Sequence, residues 1–370
     1  INRWSSTQVY VSKGFVYPFL HSVSEAFPQK PEGYTDHKAK DVLSAHKDGK
    51  ISENKKVNVI GVMLEAFCDM QTIGIQGIPD DTYKIWHELK AQSVSGKLVT
   101  NIFAGGTIDT ERAFLTGYSE LENFRKNTNS YVRFLSDNGY YCEGSHPCYQ
   151  WFYNRLNVNK YLGFEKYLFT ENFYKNISGQ NVTEASLMFP EILKMYYDRP
   201  GQKPYFAFHV TYQGHGPYDS ENIAWGNTGY KNDSISDASM IILENYLGSV
   251  KNTQENIKLM LEQLENDKEP VVVVLFGDHK PWLGDGNSVY NELGVNFDLG
   301  TKDGFMNYYS TEYVIWANNA AKEFLGNDFK GDGPTISPCF LMNEVFSQCG
   351  FVHNNLQDLC LRCFYYTVHM

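Results

Sequence analysis

The amino-acid sequence predicts an α/β fold, with a mixed but mostly parallel sheet between layers of helices and a small C-terminal subdomain. Strand patterns alternate with helical patterns along most of the 370 residues. The strands are continuous apolar runs, as expected where both faces of a sheet are buried. Hydrophobic residues make up 42% of the chain, which is enough for an extensive core.

Five apolar runs have the length and the β-branched content of buried strands. They cover residues 57–64, 97–104, 205–212, 270–277 and 312–318. Helical periodicity separates the runs and is clearest over residues 80–92, 184–198 and 238–267. This alternation predicts a sheet that is covered by helices on both faces.

The chain divides most simply into three parts. Residues 1–55 carry few strand signals and end in a polar stretch, which is typical of a lead-in arm. Residues 56–305 form the predicted core, and residues 306–370 form the predicted C-terminal subdomain. Four of the seven cysteines lie in this last part without the spacing of a zinc module, so a disulfide is expected there; they are Cys339, Cys349, Cys360 and Cys363.

The charge balance argues against a nucleic-acid partner. The formal net charge is -11 and the isoelectric point is near 5.4, whereas nucleic-acid surfaces need clustered Lys and Arg. An anionic substrate would have to be held by a metal ion or by a few cations. No run of about 18 apolar residues is present, and the first residues lack a signal-peptide layout, so we expect any targeting segment to lie elsewhere or to have been removed.

Polar residues follow the strong strands of the predicted sheet. Glu65 ends the first strand, the second leads through a glycine pair to Thr107, and Asp278 and His279 follow the fourth. Active sites of open α/β sheets form at the carboxyl ends of strands. Three oxygen donors and one imidazole suit Mn²⁺ or Mg²⁺, and such an ion would lower the pKa of the threonine hydroxyl.

Thr107 has two possible roles. Threonine is a good helix N-cap, and glycine is a common turn residue, so its hydroxyl could simply cap the helix that begins here. Alternatively, the partial positive charge of the helix N-terminus favours an alkoxide and an incoming phosphate, which makes the hydroxyl a candidate nucleophile. Glu65 could likewise be a solvated loop carboxylate.

Two further segments fit a phosphate-ester site. His215 lies in a Gly- and Pro-bounded loop after a strand and could donate a proton to a leaving group. The segment HPCYQWFYNR contains His146, Tyr153 and Arg155, and the guanidinium of Arg155 matches the geometry of a phosphate. The alternatives are an ordinary loop histidine and a surface arginine beside packed aromatic rings. His209, inside a strand, is expected in the core.

With these residues in this order, the chain resembles the extracellular catalytic domain of the lipoteichoic acid synthase family. These proteins are glycerol-phosphate transferases of the sulfatase-like, alkaline phosphatase superfamily. The matching motifs run in family order from residue 58 to residue 346: NVIGVMLEAF, GGTIDTERAFLTG, HPCYQWFYNR, LGFEKY, VTYQGHGPY, FGDHKPWLG, EYVIWAN and DGPTISPCFLMNEVF. The resemblance implies that residues 56–305 are a sulfatase-like catalytic core.

The resemblance also implies roles for the site residues. Thr107 would be the nucleophile and would bind one Mn²⁺ or Mg²⁺ together with Glu65, Asp278 and His279. A second group would line the pocket for the glycerol-phosphate group, namely His146, Tyr153, Arg155 and His215. The family commonly has Trp at the position of Tyr153, and this difference bears on which head group is read.

The implied donor is a phosphatidylglycerol-type lipid, and the implied acceptor is a glycolipid, a teichoic acid or a cell-wall glycan. In the family this domain follows several transmembrane helices and lies outside the bacterial cell membrane. The sequence shows no such helices, so we expect it to be the soluble portion of a membrane enzyme.

Several rival functions share parts of this pattern. A sulfatase would need a Cys/Ser-x-Pro-x-Arg motif, which the chain lacks. A phosphoethanolamine transferase or a phosphodiesterase would share the threonine and the metal, and would differ in the head-group pocket. A non-catalytic module that binds wall polymer would keep the fold but would be expected to have lost metal ligands.

Overall fold

The computed structural model describes residues 6–25, 32–44, 49–119, 124–179, 183–201, 203–226 and 228–351. These residues form one eight-stranded sheet with helices packed on it. The strands are β1 (Asn58–Leu64), β2 (Val94–Val99), β3 (Tyr141–Ser145), β4 (Lys166–Leu168), β5 (Tyr205–Val210), β6 (Val271–Gly277), β7 (Ser310–Ala317) and β8 (Gly331–Asp332). The helices are α1 (Ser6–Lys13), α2 (Val16–Glu25), α3 (Asp36–Ser44), α4 (Lys84–Ala91), α5 (Thr107–Thr116), α6 (Tyr131–Asp137), α7 (Arg155–Leu162), α8 (Lys175–Ser178), α9 (Ala185–Tyr197), α10 (Asp237–Glu265), α11 (Ser288–Glu292), α12 (Lys302–Tyr309), α13 (Asn319–Leu325) and α14 (Pro338–Cys349).

The sheet is mixed and mostly parallel, with the strand order β4-β3-β5-β1-β6-β7-β2-β8. β1 is central and pairs in parallel with β5 on one side and with β6 on the other. The two antiparallel pairs both involve β7, which lies between β6 and β2. The predicted α/β fold class is therefore confirmed.

The core forms two apolar clusters, one on each face of the sheet. Along β1, Ile60 and Val62 belong to one cluster, while Val59 and Met63 belong to the other. This alternation follows the two-residue period of a strand, and both faces are apolar because helices cover both. The continuous apolar runs of the sequence therefore mark the central strands.

The predicted strands agree with the structure except at β2. The run at residues 97–104 was expected to be a strand that leads straight into the glycine pair, but β2 covers Val94–Val99 and ends there. A loop from residue 100 to residue 106 then carries the chain to α5, with left-handed backbone at Asn101 and Ala104. The sequence analysis missed β3, β4 and β8, because they are short and polar or glycine-containing.

The three-part division of the chain stays a prediction. The predicted C-terminal subdomain contributes β7 to the same sheet as the core, and α14 packs against α5. The described part of the predicted arm contains α1, α2 and α3. Within the described residues, no helix is both long and apolar enough to cross a membrane.

The cysteine prediction is only partly covered by the described residues. Cys349 is buried and carries a free thiol, as do Cys68 and Cys142. Cys360 and Cys363 lie outside the described residues.

Candidate active site

Five strands bring the predicted site residues to one edge of the sheet. β1, β3, β5 and β6 are mutually parallel, and β2 runs in the same direction because it is antiparallel to β7, which is antiparallel to β6. Their carboxyl ends therefore meet at the same edge. The residues that follow them are Glu65 after β1, Thr107 after β2, His146 after β3, His215 after β5, and Asp278 with His279 after β6.

Thr107 is the first residue of α5 and does not cap it. The N-cap is Gly106, whose φ of 86° is left-handed and suits glycine. The Thr107 hydroxyl instead lies 3.4 Å from Glu65 Oε2 and 3.3 Å from His279 Nε2. The capping alternative is therefore wrong, because the hydroxyl faces Glu65 and His279 rather than the backbone of its own helix.

Glu65, Asp278 and His279 form a compact group of potential metal ligands. One ligand atom from each lies within 4.8 Å of the others, and all three residues are buried. His279 Nε2 is 3.3 Å from Asp278 Oδ2 and 3.6 Å from Glu65 Oε1. Burial, together with the nearby Asp278 carboxylate, raises the pKa of Glu65 to about 8.

The donor atoms fit a divalent cation. Asp278 Oδ1 accepts hydrogen bonds from the backbone N–H groups of Ala66 and His279, both at 2.8 Å, whereas the buried Oδ2 has no hydrogen-bond partner among the described residues and lies 3.3 Å from His279 Nε2. His279 Nδ1 donates to the Lys280 carbonyl at 2.8 Å, so its Nε2 lone pair is available to a ligand. Two carboxylates and one neutral imidazole match a hard or borderline ion such as Mn²⁺ or Mg²⁺.

Gly277 allows the chain that follows Glu65 to approach the end of β6 closely. A Cβ atom at Gly277 would lie 1.9 Å from the Phe67 carbonyl oxygen, so no other residue fits there without movement of the backbone. The chain after Glu65 therefore packs directly on the end of β6, next to Asp278. The same segment is also held by α10, because the Tyr246 hydroxyl donates a hydrogen bond to the Ala66 carbonyl at 3.0 Å.

The candidate ligands open into a cavity of about 600 Å³. Seven of the eight predicted site residues line it, and Asp278 lies buried behind them. The lining members are Glu65, Thr107, His146, Tyr153, Arg155, His215 and His279. The structure thus brings together all the residues that the sequence singled out.

Arg155 is buried, so the alternative of a surface arginine beside packed aromatic rings is wrong. It is 1% exposed, and its Nε and Nη2 donate to Glu111 Oε2 at 3.0 and 2.8 Å. Its Nη1 is buried without a hydrogen-bond partner among the described residues. A buried, unsatisfied guanidinium N–H in the cavity wall is suited to an anionic oxygen of a ligand.

Tyr153 and His146 occupy the same wall. Tyr153 has a left-handed backbone with φ 55°, and its carbonyl accepts a hydrogen bond from Arg112 Nη2 at 2.8 Å. His146 donates from Nδ1 to the Val210 carbonyl at 3.0 Å, and burial together with the Arg155 charge holds the pKa of His146 well below its usual range. His146 is therefore neutral, and its Nε2 acts as a hydrogen-bond acceptor.

His215 is exposed at the cavity, unlike the other site residues. Its ring stacks on Tyr212 with the centroids 4.9 Å apart, and its Nδ1 donates to the Gly216 carbonyl at 2.5 Å. This hydrogen bond leaves Nε2 as the nitrogen that can exchange a proton with a substrate. His209, in contrast, is fully buried in β5, as the sequence analysis predicted.

The sequence analysis missed Glu111 as a partner of Arg155. Helix α5 carries Thr107 on its first turn and both Glu111 and Arg112 on the next. Glu111 accepts hydrogen bonds from Arg155, and Arg112 donates to the Tyr153 carbonyl. One helix therefore positions both the candidate nucleophile and the Tyr153–Arg155 segment. The spacing of four residues between Thr107 and Glu111 puts them on one helix face. The sequence contains that signal, but it does not show that Arg155 lies opposite.

We expect Glu111→Gln to destabilise the protein by about 3 kcal/mol, because it leaves the buried Arg155 charge without its carboxylate. Urea unfolding measures this change. The matched control is Asp198→Asn, which removes an exposed ion pair with Lys194 and should cost less than about 1 kcal/mol. A Glu111→Gln variant as stable as the control would show that the pair contributes no net stabilisation.

Solved structures with the same fold include a transferase and a lipoteichoic acid synthase from two bacteria. The Streptococcus pyogenes phosphoglycerol transferase GacH, in complex with sn-glycerol-1-phosphate, matches with a TM-score of 0.66 and 21% identity, over 90% of this chain and 87% of that chain. The Listeria monocytogenes lipoteichoic acid synthase LtaP has a TM-score of 0.58 and 16% identity, over 88% of this chain and 82% of that chain. These likenesses show that the chain shares the fold of these two proteins.

A third structure with this fold is a phosphoethanolamine transferase. The integral membrane lipooligosaccharide phosphoethanolamine transferase A of Neisseria meningitidis matches with a TM-score of 0.59 and 11% identity. The match covers 95% of this chain and 64% of that chain. The neighbours of this fold thus include transferases of two different head groups.

Two curated relatives come from Rhizobium meliloti. A putative cyclic beta-1,2-glucan modification protein is 27% identical over 367 residues, which is 95% of this chain and 54% of that protein. The capsular polysaccharide biosynthesis protein RkpI is 25% identical over 233 residues, which is 59% of this chain and 40% of that protein. The chain therefore spans about half the length of the curated relatives it matches.

The family profile described as Sulfatase matches residues 57–351. The match begins just before β1 and ends just after α14, so it includes the whole sheet and every residue of the candidate site. Together with the sheet topology and the fold shared with GacH and LtaP, it shows that the chain belongs to the sulfatase family.

Proposed function

We propose that this protein is a metal-dependent phosphoglycerol transferase that moves glycerol phosphate from a phosphatidylglycerol-type lipid to a carbohydrate acceptor through a covalent intermediate on Thr107. The observation that carries the proposal is the position of the Thr107 hydroxyl. It lies at a helix N-terminus, 3.3 Å from His279 and 3.4 Å from Glu65, and on the wall of the open cavity.

In this proposal, Glu65, Thr107, Asp278 and His279 hold one Mn²⁺ or Mg²⁺. The ion would lower the pKa of the threonine hydroxyl and offset charge on the phosphoryl oxygens. The unpartnered Oδ2 of Asp278 and the available Nε2 of His279 support this assignment. The N-terminus of α5 adds backbone N–H groups and partial positive charge beside the same oxygen.

The first half-reaction transfers the head group to the protein. Thr107 Oγ loses its proton to solvent before the attack and reacts as the alkoxide. It attacks the phosphorus of the donor, the Oγ–P bond forms, and the bond from phosphorus to the lipid oxygen breaks. His215 gives a proton to that oxygen, so diacylglycerol leaves as a neutral alcohol. Arg155 offers its unpartnered Nη1 to a phosphoryl oxygen, which stabilises the developing charge.

The second half-reaction regenerates the enzyme. A hydroxyl of the acceptor attacks the phosphorus, its proton passes to His215, and the P–Oγ bond to Thr107 breaks. The exposed position of His215 supports both roles, because this residue can reach a leaving lipid and an entering acceptor in turn. His146 and Tyr153 would contact the glycerol hydroxyls. The neutral His146 offers an acceptor to such a hydroxyl at its Nε2.

Glycerol phosphate is favoured over phosphoethanolamine by the charges that line the cavity. The ammonium group of ethanolamine would find no free carboxylate, since Glu65, which belongs to the proposed metal group, is the sole carboxylate among the described lining residues. Phosphoethanolamine transfer is the second candidate, because transferases of that head group share the fold. A phosphodiesterase would use the same first half-reaction and pass the group to water.

A carbohydrate acceptor is supported by the names of both curated relatives, which refer to a glucan and to a capsular polysaccharide. We propose that such a glycan is the acceptor, rather than a teichoic acid or a glycolipid. The donor lipid requires access to a membrane surface, so we place the catalytic domain on the outer side of the bacterial cell membrane. A non-catalytic wall-polymer-binding module would not need Glu65, Asp278 and His279 to lie close enough to share one ion, as they do here.

Mass spectrometry tests the proposal directly. The Mn²⁺-loaded protein is incubated with phosphatidylglycerol or with phosphatidylethanolamine, and intact mass and peptide mapping locate any adduct. We expect a glycerophosphoryl adduct on Thr107 with the first lipid and none with the second. An ethanolamine phosphate adduct alone would establish the second candidate. The absence of an adduct with either lipid, with bound Mn²⁺ verified, would contradict the proposed function.

A further inference from the structure

Two exposed tryptophans lie at the cavity and have no role in the steps described above. Trp151 is 49% exposed and Trp282 is 47% exposed, and both line the cavity that contains Thr107. They come from different loops, one after β3 and one after β6. Large aromatic surfaces left open beside a polar site indicate that a ligand covers them.

The Trp151 ring is held by its neighbours. Tyr149 stacks on it with centroids 5.5 Å apart and an interplanar angle of 19°, and Phe152 meets it edge-on at 5.6 Å. A ring supported in this way loses little conformational freedom when a ligand packs on its open surface. Trp151 and Tyr149 therefore form a small preorganised aromatic platform at the cavity.

Trp282 lies beside the loop of the proposed proton-transfer residue. Its carbonyl oxygen is 3.8 Å from the position that a Cβ atom on Gly216 would occupy, and Gly216 follows His215. The acceptor hydroxyl must approach His215 in the second half-reaction. The backbone of Trp282 thus runs next to the His215 loop, and Trp282 and His215 line the same cavity.

The cavity lining favours a neutral ligand at these rings. Apart from histidines, the charged side chains among the described lining residues are Glu65 and Arg155, both of which are used in the reaction centre. A site that binds a phospholipid surface would be expected to carry exposed Lys and Arg around the rings. The described lining residues include no lysine. A sugar ring, with apolar C–H faces and neutral hydroxyls at its edge, fits exposed tryptophans better.

We infer that Trp151 and Trp282 form an acceptor subsite that binds sugar rings by stacking and presents a sugar hydroxyl to the phosphorus on Thr107. This inference rests on the proposed function. It assigns the acceptor to a neutral sugar, and it makes these two residues determinants of acceptor specificity rather than catalytic residues.

The partition of the head group between sugar and water tests the subsite. The Mn²⁺-loaded protein receives labelled phosphatidylglycerol in detergent micelles with a β-linked gluco-oligosaccharide, and glycerol phosphate on the sugar is compared with free glycerol phosphate. Trp151→Ala and Trp282→Ala should each lower the ratio of transfer to hydrolysis by about tenfold, and raise the KM for the sugar, because a stacked ring is lost. Trp151→Phe and Trp282→Phe should restore most of the ratio.

The matched control is Phe324→Ala, which removes an aromatic ring that is 44% exposed on α13 and does not line the cavity. It should leave the ratio unchanged. An unchanged ratio in both tryptophan variants would overturn the inference. An equal loss of transfer and hydrolysis would also overturn it, because the two rings would then contribute to binding of the lipid donor and not of the sugar. Loss of binding to phosphatidylglycerol vesicles, with sugar transfer intact, would assign the rings to the membrane instead.

A measurement without donor separates this inference from the proposed function. Titration of the wild-type protein with the oligosaccharide should change its tryptophan fluorescence, and the change should disappear in the Trp151→Ala/Trp282→Ala double variant. If the wild type forms no adduct but binds the sugar in this way, the proposed reaction fails and the sugar subsite stands. If no fluorescence change occurs up to millimolar sugar, the subsite is contradicted whatever the donor result.

Discussion

Thr107→Ala should lower head-group release from phosphatidylglycerol by at least about 10⁴-fold, because it removes the proposed nucleophile. In metal-free protein the melting temperature should change little, since the Thr107 hydroxyl makes no capping hydrogen bond and Gly106 occupies the N-cap position. Release of labelled glycerol phosphate and differential scanning calorimetry measure the two effects. Thr107→Ser should keep a measurable part of the activity, because it retains a hydroxyl.

A threonine at another helix start provides the matched control. Thr301 caps α12 by accepting a hydrogen bond from the Gly304 N–H at 3.1 Å. Thr301→Ala should therefore cost about 1 kcal/mol of unfolding free energy and leave the activity intact. The opposite behaviour of the two variants would separate a nucleophile from a cap. Retention of full activity by Thr107→Ala would mean that another group attacks the phosphorus.

Removal of divalent metal by EDTA should abolish head-group release and lower the free energy of unfolding. If the free ion concentration was a hundred times its dissociation constant before EDTA was added, the free energy of unfolding should fall by about 2.7 kcal/mol. Added Mn²⁺ should restore both. Isothermal titration calorimetry with Mn²⁺ gives a reading that does not depend on activity.

Asp278→Asn sharpens the metal test because it preserves the shape of the side chain. The amide oxygen can still accept from the Ala66 and His279 N–H groups, but the charge at the unpartnered Oδ2 is gone. We expect calorimetry to detect no Mn²⁺ binding. Without metal, the variant should unfold no earlier than the wild type, since the repulsion that helps raise the pKa of Glu65 is removed.

Asp285→Asn is the control for this substitution, because Asp285 is an exposed acid in the same loop after β6. It should bind Mn²⁺ as the wild type does. If Asp278→Asn bound Mn²⁺ with unchanged affinity, the group of Glu65, Asp278 and His279 would not be the metal site.

The fold class and the grouping of the candidate metal ligands could both be predicted from the sequence. The apolar runs that became β1, β5, β6 and β7 are long enough to mark buried strands, and their burial on both faces explains why they are continuous. Because the carboxyl ends of parallel strands meet at one edge, Glu65, Asp278 and His279 could be expected to lie together. Local pattern and a topological rule were sufficient for these residues.

The side chains that position the candidate ligands and Arg155 could be identified only from the tertiary structure. Whether Thr107 caps its helix or faces Glu65 depends on the left-handed backbone of Gly106 and on the loop after β2, which no local pattern specifies. The pairing of Glu111 with Arg155 joins residues 44 positions apart. Such contacts arise from the packing of α5 against the segment after β3, so the physical information lies in the assembled fold and not in either segment alone.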